Sequence, residues 1–321
     1  MSFRQTSVSG FPAVAIRSAQ LEIVAVPQLG MKLTNLRRLN GREWLWRSEQ
    51  IPLAPPRPGA SYVETADSGG WDECFPTVGP CPLPGAPAGA PQLPDHGELW
   101  SADWTSSIYE GKDGTTLAGS ATGSIFPYEF HRQIVLHPDE PSLVFRYRLQ
   151  HTGGEPFPWI WSSHPLLNVQ PGTVLSLPGI SRLKVAAVHG REDWNEGDTI
   201  AWPAALGGSG QSFTFPAEAH WAAKLFGDIG DREPIALIDP RRGERLEFVV
   251  QREEVPQLGL WINCHGWAPA GFRPYYNVAL EPCIGAPDRL DLAMTDWHMA
   301  QSLQPGESRE WALLVRLPEP D

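Results

Sequence analysis

Four short segments set titratable side chains beside glycine or proline in a pattern suited to moving protons. They are Gly69-Gly70-Trp71-Asp72-Glu73-Cys74-Phe75-Pro76, Asp95-His96-Gly97-Glu98-Leu99-Trp100, Trp159-Ile160-Trp161-Ser162-Ser163-His164-Pro165-Leu166-Leu167-Asn168 and Tyr275-Tyr276-Asn277-Val278-Ala279-Leu280-Glu281-Pro282. A carboxylate is ionised near neutral pH and a histidine titrates close to it, so Glu281 and His164 suit the two halves of an acid–base couple. A residue before proline is pushed toward extended backbone. That predicts His164 and Glu281 at strand ends, where a concave sheet face meets solvent.

Each segment taken singly has an ordinary explanation. His164 could be a strand histidine bonded to a neighbouring carbonyl, Glu281 a rim carboxylate, and Asp95–Glu98 a polar turn. Trp71, Trp161 and Trp261 could be core, because aromatics fill the interiors of packed sheets. The weight therefore rests on the ordered set and on the elements that would carry it.

Those elements are strands. Leu143, Phe145, Tyr147 and Leu149 alternate with mostly polar neighbours, and Trp311, Leu313, Val315 and Leu317 repeat the pattern. Shorter runs lie at Leu21–Val26, Phe130–Leu136, Leu183–Val188, Ile235–Ile238, Leu246–Val250 and Leu258–Ile262. No amphipathic helix of three turns is visible. The 33 prolines and 31 glycines among 321 residues suit many turns and few helices. Half-buried strands without helices must cover one another, which gives an all-β chain with one sheet packed on another. The Pro-rich stretches Pro52–Ala60 and Pro80–Pro94 have strand patterns on both sides, so residues 1–321 are expected to form a single domain with long surface loops.

Composition narrows the function. The net charge of −12 and the lack of a basic stripe exclude nucleic acid and anionic membrane as expected partners. No run reaches the length of a membrane span, and Met1–Gly10 lacks the apolar core of a signal peptide. Cys74, Cys81, Cys264 and Cys283 show no metal spacing such as CxxC and are too sparse for a disulfide framework. Free thiols in a cytoplasmic protein are the expectation. A Cys74–Cys81 bridge is the minority alternative.

The order of motifs, Trp71–Pro76, His96-Gly97, His164-Pro165 and Leu280-Glu281-Pro282, resembles the galactose mutarotase-like, or aldose 1-epimerase, superfamily, from about residue 20 to the C-terminus. The resemblance implies a large antiparallel β-sandwich with a sugar on its concave face, and anomer exchange of a free aldose without metal or cofactor. It makes His164 the general acid, Glu281 the general base and His96 a sugar ligand. With a sugar in view, Trp71, Trp161 and Trp261 become candidates for stacking on its apolar face. Asp72, Glu73 and Asn168 become candidates for its hydroxyls.

The chain departs from the family in two places. Sugar-phosphate members carry an arginine soon after the His-Gly pair, where Glu98-Leu99-Trp100 stands here, and a phosphate needs a cationic clamp. Arg182, Lys184 and Arg273 are the cations that could substitute. The further substrate-binding aspartate of the galactose-type enzymes has no clear counterpart, with Asp72, Glu73 and Asn263 as candidates. Three other functions compete: a non-catalytic carbohydrate-binding module, a glycosidase pairing Glu281 with Asp72 or Glu73, and a metal site from His96, Glu98 and His164. Oligomeric state is left open.

Overall fold

Period-two apolar runs can bury one face only against another sheet, and the chain does this on a large scale. In the computed structural model, which describes residues 2–57, 59–87, 89–90, 92–230 and 233–319, an eleven-stranded antiparallel sheet packs on a nine-stranded one. The core between them contains Phe130, Phe145, Leu149, Leu313 and Val315 from the smaller sheet, and Leu167, Leu225, Leu260, Val278 and Leu280 from the larger. The runs read from sequence all fall in strands, among them Ser142–His151, Ser308–Arg316, Leu21–Val26 and Gln257–Cys264. The described helices are short, Tyr62–Thr65 and Leu290–Thr295 among them, and no helix is long and apolar enough to cross a membrane.

Six neighbouring strands of the larger sheet matter most. Their order across the sheet is Lys32–Arg38, Trp71–Cys74, Trp161–Asn168, Tyr276–Ile284, Gln257–Cys264 and Trp221–Asp228. Successive residues of a strand face opposite sides. Each strand thus sends one set of side chains into the core and the alternate set to the outer, concave face.

The ladder between Trp161–Asn168 and Tyr276–Ile284 is broken at its middle. Ser162 pairs with Cys283 and Leu166 with Ala279, while the three positions between carry no ladder pairs. Pro165 and Pro282 lie in that gap, and a proline has no N–H to give a ladder. The register is the same on both sides, so His164 and Glu281 stand directly opposite each other across the break. Both are therefore interior to their strands, not at strand ends as the following prolines had suggested. Extended backbone before proline is satisfied equally well inside a strand.

The core holds a charged cluster. Arg132 is fully buried, 3.2 Å from Glu73, which also accepts bonds from Tyr147 Oη at 3.0 Å and Trp161 Nε1 at 2.9 Å. Burial pushes the Glu73 carboxyl up to about 7, against the pull of Arg132. Removing one partner of a buried pair is far more costly than losing a surface pair. Arg132→Met is expected to destabilise the fold by ~3–5 kcal/mol at pH 8, where Glu73 would be left as a lone buried anion. Because Arg132 holds the Glu73 value down to about 7, the carboxyl titrates higher in the variant and is neutral in both proteins by pH 5, so the penalty should shrink as pH falls toward about 7. Denaturant midpoints of both proteins at pH 5 and 8 measure this.

Candidate active site

On the concave face the broken ladder adjoins a pocket of about 230 Å³, lined by His96, His164, Lys224, Trp261 and Glu281 together with Asp67, His189, Trp267 and Asp288. Chain parity explains the selection. His164 and Leu166 share a face of one strand, Ala279 and Glu281 a face of the next, and Gly259 and Trp261 a face of the third.

Glu281 is completely buried. Its Oε2 lies 2.5 Å from Lys224 Nζ and accepts a longer bond from Ser162 Oγ at 3.3 Å, while Oε1 has no protein partner. Lys224 also lies 3.1 Å from Asp288. The lysine arises two strands away and reaches Glu281 across Gly259. A Cβ at Gly259 would lie 3.1 Å from the Phe226 ring and 3.2 Å from Glu281 Oε2, so a side chain there would crowd the carboxylate. Burial raises the Glu281 carboxyl above its ordinary value, with Lys224 pulling it down and Asp288 pushing it up. The Lys224 ammonium is held protonated by Asp288 and Glu281 despite its burial.

His96 sits in a turn with left-handed backbone, φ +59°, followed by Gly97 at φ +69°. A Cβ at Gly97 would lie 2.1 Å from the Phe75 carbonyl oxygen, so only glycine lets the turn approach the Trp71–Cys74 strand. His96 Nδ1 is 2.8 Å from Asp95 Oδ1, and its ring stacks on Tyr62 at 4.0 Å. Tyr62 Oη in turn donates to Asp72 Oδ2, which also pairs with Lys32.

The two histidines are shifted in opposite directions. Burial opposes the His96 imidazolium, but Asp95, Asp67 and Asp288 outweigh it and raise the value above 6.5. His164 is held well below 6.5 by burial and by the cations His96, Lys224 and Lys32. Glu281 across the ladder does not keep His164 protonated, because burial and these cations outweigh it. The rings meet edge to face at 4.8 Å.

Of the residues singled out from sequence, His164, Glu281, His96 and Trp261 converge on the pocket. Asp72 lies one layer behind, supporting Tyr62. Trp71, Glu73 and Trp161 do not reach it, since they occupy the opposite parity and face the core. Trp71 stacks on Phe145 at 4.3 Å and Trp161 packs on Trp311 at 5.1 Å. Asn168 lies beyond the pocket, in a neighbouring cleft, and donates to the Glu43 and Leu45 carbonyls. Asn263 braces the loop that presents Trp267, accepting from the Gly266 and Trp267 amides. Glu98 turns away and accepts from the Ser124 and Ile125 amides and the Tyr128 hydroxyl, which removes it from the metal set read from sequence.

Sequence reasoning passed over Lys224, Asp67, Asp288, His189 and Trp267. Lys224 alone left a signal, a cation inside the apolar run Trp221–Phe226, where charge is rare unless paired. Arg182 and Lys184 line a different cleft and Arg273 another again, so no arginine lines the pocket among the described residues. All four cysteines are buried and free.

No protein-family profile matches the sequence, and no curated protein matches it. Solved structures do. The Slr1438 protein from Synechocystis superposes with a TM-score of 0.69 at 17% identity, over 99% of this chain and 98% of that one. A galactose mutarotase-like protein from Lactobacillus casei gives 0.66 at 16% identity, over 95% and 100%. A candidate aldose 1-epimerase from Klebsiella pneumoniae gives 0.71 at 13% identity, over 98% and 82%. With end-to-end superposition on these proteins and two stacked antiparallel sheets of its own, the chain has the galactose mutarotase-like fold.

Proposed function

We propose that the protein interconverts the α and β anomers of a free aldose by acid–base ring opening. The observation that carries this reading is the unpartnered Glu281 Oε1, facing His164 across the broken ladder in a pocket that also holds His96. An unpaired buried carboxylate oxygen is costly unless a ligand donates to it. In this reading Glu281 Oε1 takes the proton of the anomeric hydroxyl, and the ring oxygen takes one from the histidine pair. The C1–ring-oxygen bond breaks, the aldehyde rotates about C1–C2, and the ring closes on the other face as both protons return.

The histidines act as one acid. His96 holds the proton at rest, with its charge balanced by Asp95, and His164 stands opposite the base where the ring oxygen would lie. Lys224 keeps Glu281 able to ionise in spite of its burial. Trp261 and Trp267, 5.6 Å apart and nearly perpendicular, offer an aromatic wall for an apolar sugar face.

Two competing readings lose support. Among the described residues the one lysine or arginine lining the pocket is Lys224, already engaged by two carboxylates, which leaves no lysine or arginine free to clamp a sugar phosphate. The glycosidase pairing of Glu281 with Glu73 or Asp72 has no geometry behind it, since Glu73 faces the core and Asp72 is engaged by Lys32 and Tyr62.

Mutarotation of freshly dissolved α-D-glucose and α-D-galactose, followed by polarimetry and then across a wider panel of aldoses, tests the reading. Acceleration of any free aldose supports it, and none across the panel overturns it. The proton on His96 also sets a pH dependence. Asp95, Asp67 and Asp288 raise its value above the ordinary 6.5, and the proton leaves as pH rises through that value, so the rate should fall on the alkaline side. His96→Asn should lower the rate and abolish that alkaline fall, which a pH profile of both proteins would reveal.

A further inference from the structure

Beside the pocket lies a grouping of which the proposed anomer exchange uses only the two histidines. The buried Cys74 lies beside His96 and His164, and one ligand atom from each falls within 4.8 Å of the others. Cys74 has the parity of Asp72 and so faces the concave side, but it does not line the sugar pocket. We propose that Cys74, His96 and His164 form a binding site for a soft divalent cation of the zinc class, with a fourth position open to the pocket.

Three independent features support the site. The donor set is a sulfur and two imidazoles, the chemistry such ions prefer, and three protein ligands with one open position is an established zinc arrangement. In a tetrahedral site with ordinary zinc bond lengths the ligand atoms stand about 3.3–3.6 Å apart. The observed limit of 4.8 Å is thus about an ångström from closure, within reach of ring and thiol rotations. Next, His96 Nδ1 is held by Asp95, which leaves Nε2 as the ligand. A carboxylate behind a ligating histidine is the usual outer support of a metal site. Finally, His164 Nδ1 is buried and without a partner.

The surrounding charge agrees. Asp67, Asp72, Asp95, Glu281 and Asp288 bear on this group, with Lys32 and Lys224 as the nearby ammonium groups. With the histidines neutral, carboxylates outnumber ammonium groups and a dication is welcome. A cysteine ligates such an ion as the thiolate. Binding therefore expels one proton from the thiol, and the imidazoles must be neutral to ligate.

The ion would take the nitrogens that the proposed reaction needs, so it would act as an inhibitor that competes with sugar. That consequence rests on the proposed function. Metal binding itself does not.

The test uses the full chain, stripped with chelator, equilibrated with Zn²⁺ and passed through a desalting column. One zinc per chain in the wild type, and less than a tenth of that in Cys74→Ser and His96→Asn, is the expected result. With Co²⁺, a thiolate charge-transfer band should appear in the wild type and vanish in Cys74→Ser. Sub-stoichiometric zinc in the wild type, or undiminished zinc in both variants, overturns the proposal. If Cys74→Ser fails to fold, His96→Asn and the cobalt band decide alone. Cys74→Ser is expected to keep anomer exchange and to lose its inhibition by Zn²⁺. Stoichiometric zinc in a protein that exchanges no aldose leaves the metal site standing and removes the functional reading.

Discussion

Glu281→Gln is expected to fold and to lose two to four orders of magnitude, roughly, in kcat for anomer exchange. Glutamine keeps the shape of the side chain and can still meet Lys224 and Ser162 through its carbonyl oxygen. What it cannot do is take a proton from an anomeric hydroxyl. Lys224 keeps Asp288 as a counter-charge at 3.1 Å, so the loss of the Glu281 charge does not strand the ammonium. KM should change far less than kcat, because the hydroxyl contact survives while the proton transfer does not. Exchange spectroscopy by NMR on an accepted aldose measures both constants, and a thermal scan checks the fold. A variant that retains a tenth or more of wild-type kcat while melting normally removes Glu281 from the chemistry.

Lys224→Met should harm both stability and rate, and by separable routes. The lysine is buried between Glu281 and Asp288, and its loss leaves two carboxyl groups facing each other without a cation. A stability loss of ~3–5 kcal/mol is expected at neutral pH. Burial and Asp288 already raise the Glu281 carboxyl, and Lys224 is the group holding it down. Its removal moves Glu281 further up, so more of the base is protonated at any given pH. The acid limb of the rate profile should shift to higher pH, with activity partly recovered on the alkaline side. A lysine with a merely structural role would lower stability and leave that limb in place. Profiles of kcat against pH for both proteins, below the melting range of the variant, separate the two.

Much of the architecture can be read from alternation. The run Leu143–Gln150 marks the strand Ser142–His151, and its companion near the C-terminus pairs with it residue by residue. The concave site is also partly legible, because His164, Glu281 and His96 carry short motifs with proline or glycine attached. Trp71 and Trp161 misled because a large aromatic ring suits a sugar wall and a core equally well. Parity would have separated them: Trp161 is an odd number of residues from His164, and Trp71 adjoins Asp72, so neither shares a face with its neighbour. Asp67 and Asp288 left no trace, since they lie outside strands and are brought in by how the connections fold over the sheet. Lys224 stood in plain view within an apolar run, but its partners lie on a strand two positions away and on a loop, and only the sheet order joins them.

The two prolines in the interrupted ladder tie the proposed chemistry to cohesion. Along most of the sheet, neighbouring strands are stitched by backbone bonds that are indifferent to side-chain identity. At the centre that seam is missing, and the Lys224–Glu281 contact together with the Ser162 hydroxyl lies where backbone stitching stops. Apolar pairs often replace buried ion pairs at no loss of stability. Selection for heat tolerance alone would therefore favour closing this seam with hydrocarbon, at the expense of the proposed reaction. The working protein sits on the other side of that trade-off, with polar groups kept at the point where the sheet would be firmest without them.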